Sequence, residues 1–217
     1  LKSFKSNPKK VIIPFSFGKE SLVTLALSRE LGFDPILVYS QEPSQPFEEK
    51  YKKIKLKELE NQFHLKNHFI VHEPGLFRLG KAFEKHLGSE LGWGTQITLI
   101  NLLVLPFVYY YRAKYILIGH EYANNEVDLI NGWKVFHSID QTKFMTTLQN
   151  NIIRILTNNQ SFVKSTLEPL DEINIFYLLH HRYKEFGKYQ FSCTAEKPLY
   201  PNSQWCHKCY KWIKRHH

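Results

Sequence analysis

The chain has 217 residues, of which 43% are hydrophobic and 15% aromatic, which excludes a disordered chain and suits one α/β domain, alone or with a small appendage. Its formal net charge of +9 favours polyanionic partners such as nucleotides, RNA or anionic cell-wall precursors, although a solvated surface richer in Lys than in Glu explains the same charge. Three cysteines are too few for a disulfide framework, and the polar start carries no secretory signal, so we expect a reducing, cytoplasmic compartment and no membrane partner.

Hydrophobic runs of strand length alternate with helical patterns along the N-terminal part of the chain. The predicted strands are 10–15, 36–39, 68–71 and 115–118, and the predicted helices are 21–31, 47–63, 76–87 and 95–112. The longest apolar run, 97–111, is shorter than the ~20 residues of a membrane-spanning helix and contains Pro106, so we expect a buried helix there. Alternating strands and helices predict a doubly wound α/β fold, in which helices cover both faces of a parallel sheet.

The pattern changes after Phe136. Amphipathic helices are predicted at 141–156 and 171–186, and a cysteine-bearing tail follows. We therefore expect a nucleotide-binding α/β domain over residues 1–136 and a small C-terminal helical extension over residues 137–217.

Phosphate binding is predicted for the loop that joins the first strand to the first helix. The first amides of a helix lack intrahelical partners and carry partial positive charge, so they attract anions. Gly18 lets the backbone approach an anion, the hydroxyls of Ser16 and Ser21 can donate to phosphate oxygens, and Lys19 can neutralise charge. The spacing is not that of a Walker loop. The same residues also fit an ordinary helix start with Ser21 as its cap.

A second polar loop, 119–126, follows the fourth strand directly. Glu121 and Glu126 are candidate ligands for Mg²⁺, which prefers carboxylate oxygens. His120 and His137 are candidates for acid–base work near neutral pH, although a histidine with no special task is the commoner case. Ligands of doubly wound sheets bind beyond the carboxyl ends of the strands, where the strand order reverses, so we expect the loops after the first, second and fourth strands to line one site.

A zinc site is predicted in the tail. Cys206 and Cys209 form a C-x-x-C motif, which sets two thiolates on one edge of a tetrahedral site, and Cys193 can supply a third sulfur. His207, His216 or a water can complete the set. Three free thiols are the alternative interpretation.

These motifs resemble known families. The first loop, residues 16–21 with the sequence S-F-G-K-E-S, resembles the S-G-G-x-D-S signature of the PP-loop ATP pyrophosphatase superfamily, with Phe at the second position and Glu at the fifth. The second loop and the stretch 133–138 are similar to the ATP-dependent muramoyl-dipeptide glutamate epimerase family, whose loop reads approximately G-N-E-x-S-A-N. The tail is similar to that of cyanodeazaguanine synthase, which carries S-C and then C-G-x-C-x-x-C, but Trp212 stands at the last cysteine position.

The resemblance implies a fold of the HUP class, also called adenine nucleotide alpha-hydrolase-like, and ATP and Mg²⁺ as cofactors. It implies that a substrate carboxylate attacks the α-phosphorus of ATP, so that pyrophosphate leaves and an acyl-adenylate forms. The expected catalytic residues are Lys19, His120 and Glu121. The expected cofactor-binding residues are Ser16, Phe17, Gly18, Lys19, Glu20, Ser21, Tyr39, Gly119 and Glu126. The expected zinc ligands are Cys193, Cys206, Cys209 and His207.

Three functions stay open on the sequence alone. The first is adenylation of a carboxylate on a small molecule or cell-wall precursor. The second is tRNA modification, in which a base carbonyl is adenylated before sulfur or nitrogen displaces AMP; the basic charge and the tail suit it. The third is a non-enzymatic nucleotide-binding module, favoured by Phe17 and Glu20 in the first loop. The assembly state is also open, with a homodimer as one option.

Overall fold

The computed structural model describes residues 4–41, 46–72, 96–136 and 138–191, without the side chains of 46–50. The strands are β1 (Asn7–Phe15), β2 (Asp34–Gln41), β3 (Lys66–Val71), β4 (Ala113–Ile118), β5 (Val127–Ile130), β6 (Trp133–Phe136) and β7 (Phe162–Ser165). Five of them form one parallel sheet in the order β3-β2-β1-β4-β7, while β5 and β6 form an antiparallel hairpin. The predicted α/β fold with a parallel sheet is confirmed.

Helices connect these strands. They are α1 (Lys19–Glu30), α2 (Pro46–Phe63), α3 (Gln96–Leu103), α4 (Leu105–Tyr111), α5 (Lys143–Leu156), α6 (Glu172–Tyr177) and α7 (Lys184–Gly187). Short 3-10 helices lie at Tyr122–Asn125 and Ile139–Gln141, and a π-helical turn lies at Leu178–Arg182. No helix in the described ranges is both long enough and apolar enough to cross a membrane.

The two faces of the sheet carry separate hydrophobic clusters, because successive residues of a strand point to opposite sides. Val11 and Ile13 of β1 belong to one cluster, which also contains Leu22 of α1. Ile12, between them, belongs to the other cluster, which also contains Val108 of α4. Helices therefore cover both faces, as the doubly wound fold requires.

The strand order reverses between β1 and β4. From β1 the chain adds β2 and then β3 on one side, and it returns to place β4 on the other side of β1. Phe15, at the end of β1, pairs with Tyr39 of β2, and Val11 pairs with Tyr115 of β4. The loops after β1 and β4 therefore flank the crevice in which this fold binds ligands.

Two predicted helices are divided in the structure. The helix expected over 95–112 is α3 followed by α4, with the break at Val104, because Pro106 lacks an N–H group and sits in the first turn of α4. The helix expected over 171–186 is α6, the π-helical turn and α7. The helix expected at 76–87 lies outside the described residues.

Three strands were not predicted. β7 comes from the segment after residue 136, where we expected helices, yet it pairs with β4 as an edge strand of the sheet. β5 and β6 are joined by Asn131 and Gly132, whose φ angles are 52° and 81°. An Asn-Gly pair with positive φ at both residues is the usual two-residue hairpin turn, so the sequence did carry that signal.

Candidate functional site

Phe17 has an unusual backbone conformation in the loop after β1. Its φ of 65° lies in the left-handed region, which costs a non-glycine residue roughly 1–2 kcal/mol. The ring is fully buried, with its centroid 4.7 Å from that of Phe15 and 6.1 Å from that of Tyr39, and the Phe17 carbonyl accepts a hydrogen bond from the Phe191 N–H at 2.9 Å. Core packing therefore maintains at position 17 a backbone conformation that glycine adopts freely.

Gly18 leads into α1 with an extended backbone (φ −69°, ψ 161°), and no side chain caps the helix there. Ser21 lies within the first turn, where its hydroxyl donates to the Gly18 carbonyl at 3.1 Å. Ser16 Oγ lies 3.4 Å from Ser21 Oγ and accepts the Gly18 N–H at 3.3 Å. Ser21 thus does not cap α1, and the first turn of this helix opens at the carboxyl end of β1, as in anion-binding sites.

The ammonium group of Lys19 lies among three carboxylates. Lys19 Nζ forms a close ion pair with Glu20, lies 3.7 Å from Glu121 Oε2 and lies 3.6 Å from Glu172 Oε1. The carboxylates come from three segments: the first turn of α1, the loop after β4 and the first turn of α6. One ammonium against three carboxylates leaves a surplus of negative charge when all four groups are ionised.

Burial and charge act in opposite directions on the groups of this cluster. Burial alone lowers the pKa of Lys19, but its carboxylate neighbours outweigh that effect, so the pKa is raised. Burial raises the pKa of Glu121, and Lys19 opposes that shift. Only 14% of the Glu121 side chain is exposed, and among the described residues its Oε2 accepts no hydrogen bond, since 3.7 Å to Lys19 is too long for one. That oxygen is therefore suited to receive a cation.

Gly119 brings the two loops into contact. A Cβ atom at this position would lie 2.6 Å from the Cβ of Glu20, closer than real Cβ atoms approach, and 3.2 Å from the carbonyl carbon of Glu20. Only glycine permits this approach, which places Glu121, two residues later, beside Lys19.

His120 is held in one tautomer. Its Nδ1 lies 2.7 Å from Thr146 Oγ1, and that hydroxyl donates its proton to the Thr142 carbonyl at 3.0 Å, so Thr146 accepts from His120 Nδ1–H. His120 Nε2 therefore carries the lone pair, and it has no hydrogen-bond partner in the part of the chain that is described. Burial lowers the pKa of His120 to about 4, so the ring is neutral near pH 7 and acts as a hydrogen-bond acceptor there.

Other expected site residues lie apart from this cluster. Tyr39 pairs with Phe15, the last residue of β1. Its ring, however, lies in the core, with its centroid 5.4 Å from that of the Phe69 ring. Glu126 is exposed at the end of the 3-10 helix and is not among the ion-pair partners of Lys19. His137 and the zinc ligands proposed in the tail lie outside the described residues. Those ligands are Cys193, Cys206, Cys209 and His207.

Glu172 is the member of the cluster that the sequence analysis did not single out. It opens α6, which Asp171 caps with its carboxylate, and the Tyr122 N–H donates to the Leu170 carbonyl at 2.9 Å. That bond ties the segment before α6 to the loop after β4. Recognising β7 in the sequence would have indicated Glu172, because the segment that follows a parallel strand starts at the carboxyl edge of the sheet, where the other site residues lie. A four-residue strand that contains Lys164 is a weak pattern, and it was not recognised.

No group of three or more His, Cys, Asp or Glu side chains within the described ranges is arranged to hold a metal ion by itself. The three carboxylates converge on Lys19 instead.

No protein-family model matches the chain, and no curated protein does. Among solved structures, the chain is similar to NMN synthetase from Francisella tularensis, with a TM-score of 0.54 and 10% identity, over 95% of this chain and 72% of that one. It is also similar to a predicted subunit of tRNA methyltransferase from Methanocaldococcus jannaschii (TM-score 0.49, 14% identity, 79% of this chain and 74% of that one). A third similar structure is the U34-tRNA thiolase NcsA from Methanococcus maripaludis, with its [4Fe-4S] cluster (TM-score 0.49, 12% identity, 92% of this chain and 61% of that one).

At 10% identity, the likeness to NMN synthetase establishes a common fold and leaves the activity open. That fold is the parallel sheet with helices on both faces and a reversal of strand order between β1 and β4. The chain therefore has the doubly wound α/β fold that its resemblance to the PP-loop ATP pyrophosphatase superfamily implied.

Proposed function

We propose that this chain is an ATP-using enzyme of the PP-loop superfamily, which transfers AMP from ATP to a substrate carboxylate and releases pyrophosphate. One observation carries the proposal: the Lys19 ammonium, the Glu121 carboxylate and the uncapped start of α1 meet where the strand order reverses. A cation, a partly desolvated carboxylate and free helix amides are the groups with which proteins position a phosphate chain and its metal.

In this proposal, the phosphates of ATP lie over the loop after β1. The amides at the start of α1 and the hydroxyls of Ser16 and Ser21 donate to phosphate oxygens, since they adjoin one another within 3.4 Å. Lys19 exchanges part of its contact with the carboxylates for contact with phosphate. The protein mainly positions the two reactants and stabilises negative charge on the transferring phosphorus.

Mg²⁺ fits the carboxylates of this site. Proteins bind Mg²⁺ through one or two carboxylates together with substrate phosphates, rather than through complete protein cages. Glu20 in the first turn of α1 and Glu121 in the loop after β4 reach the same ammonium, and Glu121 Oε2 is a buried oxygen without a hydrogen bond among the described residues. When bound, the ion offsets the charge that builds on the departing pyrophosphate.

His120 supports the site as a neutral residue in this proposal. Its Nδ1–H bond to Thr146 anchors the loop after β4 on α5, and the Ser165 hydroxyl donates to its carbonyl at 2.6 Å. The buried Nε2 offers an acceptor directly before Glu121 in the chain. A pKa of about 4 makes His120 a poor proton donor at neutral pH, so its contribution is positioning.

The substitution Gly18→Val tests the phosphate assignment. Valine tolerates φ −69° and ψ 161°, so the fold is expected to persist, while its side chain obstructs the approach of an anion to the first turn of α1. We expect ATP binding, measured by calorimetry with Mg²⁺ present, to be lost. An unchanged affinity in a folded variant, judged by circular dichroism, contradicts the assignment.

The net charge of +9 favours a second function, in which a tRNA base carbonyl takes the place of the carboxylate as the AMP acceptor. Pyrophosphate release measured in parallel with carboxylic acids, cell-wall precursors and tRNA separates the two. Stimulation by tRNA alone, together with co-purifying RNA, identifies the second function. ATP binding without pyrophosphate release, whichever acceptor is supplied, identifies a non-enzymatic nucleotide-binding module.

We also propose that the tail binds one zinc ion through Cys193, Cys206, Cys209 and His207. The support is the C-x-x-C spacing with a third cysteine, a ligand set that suits tetrahedral zinc. Elemental analysis of the purified protein is expected to give one zinc per chain. Absence of zinc together with three freely titratable thiols contradicts this proposal.

A further inference from the structure

Two ammonium groups lie over the ring of Tyr111, in the last turn of α4. Lys10 Nζ lies 5.5 Å from the ring centroid and Lys66 Nζ lies 5.7 Å from it, both within the range of a cation–π contact. The Tyr111 hydroxyl lies 2.7 Å from His68 Nε2, a hydrogen bond that holds the ring in place. Two cations therefore share one anchored aromatic ring.

The sheet register places the two lysines on the same face. Lys10 lies two residues before Ile12 in β1. Lys66, the first residue of β3, pairs with Ile36 of β2, which itself pairs with Ile12. Side chains two residues apart in a strand point to the same side, and so do those of paired residues. Both lysines therefore project from the face of the sheet that α4 covers, where Ile12 and Ile36 pack.

The positive charge at this place is not neutralised by ion pairs. Among the described residues, no carboxylate forms an ion pair with Lys10, Lys66 or Arg112, the exposed residue that directly follows Tyr111. Asp34, which pairs with Lys10 in the sheet, adds one negative charge near Tyr111. Three cations against one carboxylate leave a surplus of positive charge, which attracts phosphate.

Tyr110 adds an exposed ring beside these cations. It is 78% exposed, and its centroid lies 4.9 Å from that of Tyr111, with the two rings edge to face. An exposed ring next to cations lets a base stack while its phosphates are neutralised, which is how proteins hold single strands without reading their sequence. Below, the amino-edge patch means the side chains of Lys10, Lys66, Tyr110, Tyr111 and Arg112.

The amino-edge patch and the cluster around Lys19 lie at opposite edges of the sheet. Lys66 begins β3 and Arg112 directly precedes β4, whereas the loops of the candidate site follow the carboxyl ends of β1 and β4. A strand rises about 3.3 Å per residue, so Lys10 lies roughly 17 Å from the end of β1 at Phe15. A ligand on the patch therefore leaves the phosphate loop free.

We propose that the amino-edge patch binds a single-stranded nucleic acid, with a base stacked on Tyr110 and phosphates held by Lys10, Lys66 and Arg112. The exposed ring favours this partner over an acidic peptide, whose carboxylates would use the cations alone. A lipid surface would meet a single ring among charges, not the broad apolar face of an interfacial binder. The proposal does not depend on the function proposed for the cluster around Lys19.

Fluorescence anisotropy of a labelled oligouridylate of about 12 nucleotides, titrated with the full chain at several salt concentrations, tests the role of the cations. Lys10→Gln/Lys66→Gln is expected to reduce the slope of log affinity against log salt by about 1.4, since each phosphate contact on a single strand contributes about 0.7. The control Lys134→Gln/Lys164→Gln removes the same charge from exposed positions on β6 and β7. It is expected to keep the wild-type slope.

Tyr110→Ala tests the stacked base separately. We expect it to bind the oligouridylate about 10-fold more weakly with an unchanged salt slope, because stacking releases no counterions. Tyr177→Ala on α6 is the matched control, since Tyr177 is 58% exposed and lies outside the amino-edge patch. An oligodeoxythymidylate of the same length shows whether RNA or DNA is the partner, which is the one that binds more tightly.

Circular dichroism checks that each variant keeps the wild-type fold. A wild-type chain that binds neither oligonucleotide at low salt overturns the proposal, including the case in which vesicles of anionic phospholipid bind instead. Equal weakening by the patch variants and their controls also overturns it, because the charge of the whole chain then explains the binding. Displacement of the oligonucleotide by excess ATP with Mg²⁺ would place it on the phosphate loop and would contradict the proposal.

Discussion

Gly119 and Glu20 touch so closely that a Cβ atom on Gly119 would lie only 2.6 Å from the Cβ of Glu20. The contact joins the loop after β4 to the first turn of α1. Through it, Glu121 from one loop and Lys19 from the other come to 3.7 Å. The contact therefore positions the two acidic residues of the candidate site relative to Lys19.

The contact predicts the effect of Gly119→Ala. The added methyl group must displace Glu20, including its backbone, so the two loops separate and Mg-dependent ATP affinity falls by about 10-fold or more. Calorimetry measures the change. Gly187→Ala is the matched control, because its Cβ would also clash, at 2.9 Å with the Leu179 carbonyl, but its nearest neighbours are Leu179 and His180 and not a member of the cluster around Lys19. An equal loss of ATP affinity in both variants indicates general destabilisation and contradicts the assignment.

Removal of either carboxylate is expected to slow turnover much more than it weakens ATP binding. Glu20→Gln and Glu121→Gln are expected to slow turnover by about 100-fold while changing ATP affinity by less than about 5-fold, since the charge that a bridging Mg²⁺ offsets is greatest in the transition state. Single-turnover pyrophosphate release and calorimetry give the two quantities. Glu185→Gln, an exposed carboxylate on α7, serves as the control. Wild-type turnover in both site variants contradicts the magnesium assignment.

The ion pairs of Lys19 predict that Mg²⁺ assists ATP binding. Without the metal, the phosphates must compete with Glu20, Glu121 and Glu172 for the ammonium, whereas a bound cation satisfies the carboxylates and releases Lys19. Glu172→Gln removes one competitor, so ATP affinity in EDTA should rise by up to about 5-fold, the range of a partly exposed ion pair. Lys19→Met should remove that gain. Equal ATP affinity with and without Mg²⁺ in the wild type argues against this coupling.

His120 predicts a loss of stability in acid. Its pKa is 6.5 when unfolded and about 4 in the fold, so between these values the unfolded chain binds the extra proton. The free energy of unfolding should therefore fall as pH drops from 6.5 towards 4, by roughly 3 kcal/mol from this residue. His120→Asn, whose amide can still donate to Thr146, should show a flatter dependence in urea titrations. Parallel pH profiles for the two proteins contradict the assignment.

Much of the fold could be predicted from the sequence because long hydrophobic runs determine it. β1, β2, β3 and β4 were all predicted, each two or three residues short at one end or at both ends. β7 was missed because it is a four-residue edge strand in which only Val163 is buried. Pairing with β4, rather than local preference, makes that segment a strand.

The site was predictable only in part. The expected contact between the loops after β1 and β4 is present, because strand order alone brings them together. The position of Glu172 in the site could not be predicted, because it follows from β7, which was not predicted. Phe17 departs from the glycine of the resembled signature, and sequence alone does not reveal that a residue with a buried ring has a left-handed backbone there.

The central claim is attack at the α-phosphorus of ATP, and the nucleotide products test it most directly. The protein is incubated with ATP, Mg²⁺ and pools of carboxylic acids, cell-wall precursors or tRNA, and the nucleotides are separated by chromatography while pyrophosphate is measured. The account predicts that the pyrophosphate released is matched by an equal amount of AMP, either free or still bonded to the acceptor, and that release is abolished in Gly18→Val. ADP and phosphate as the sole products would contradict it, whatever the acceptor.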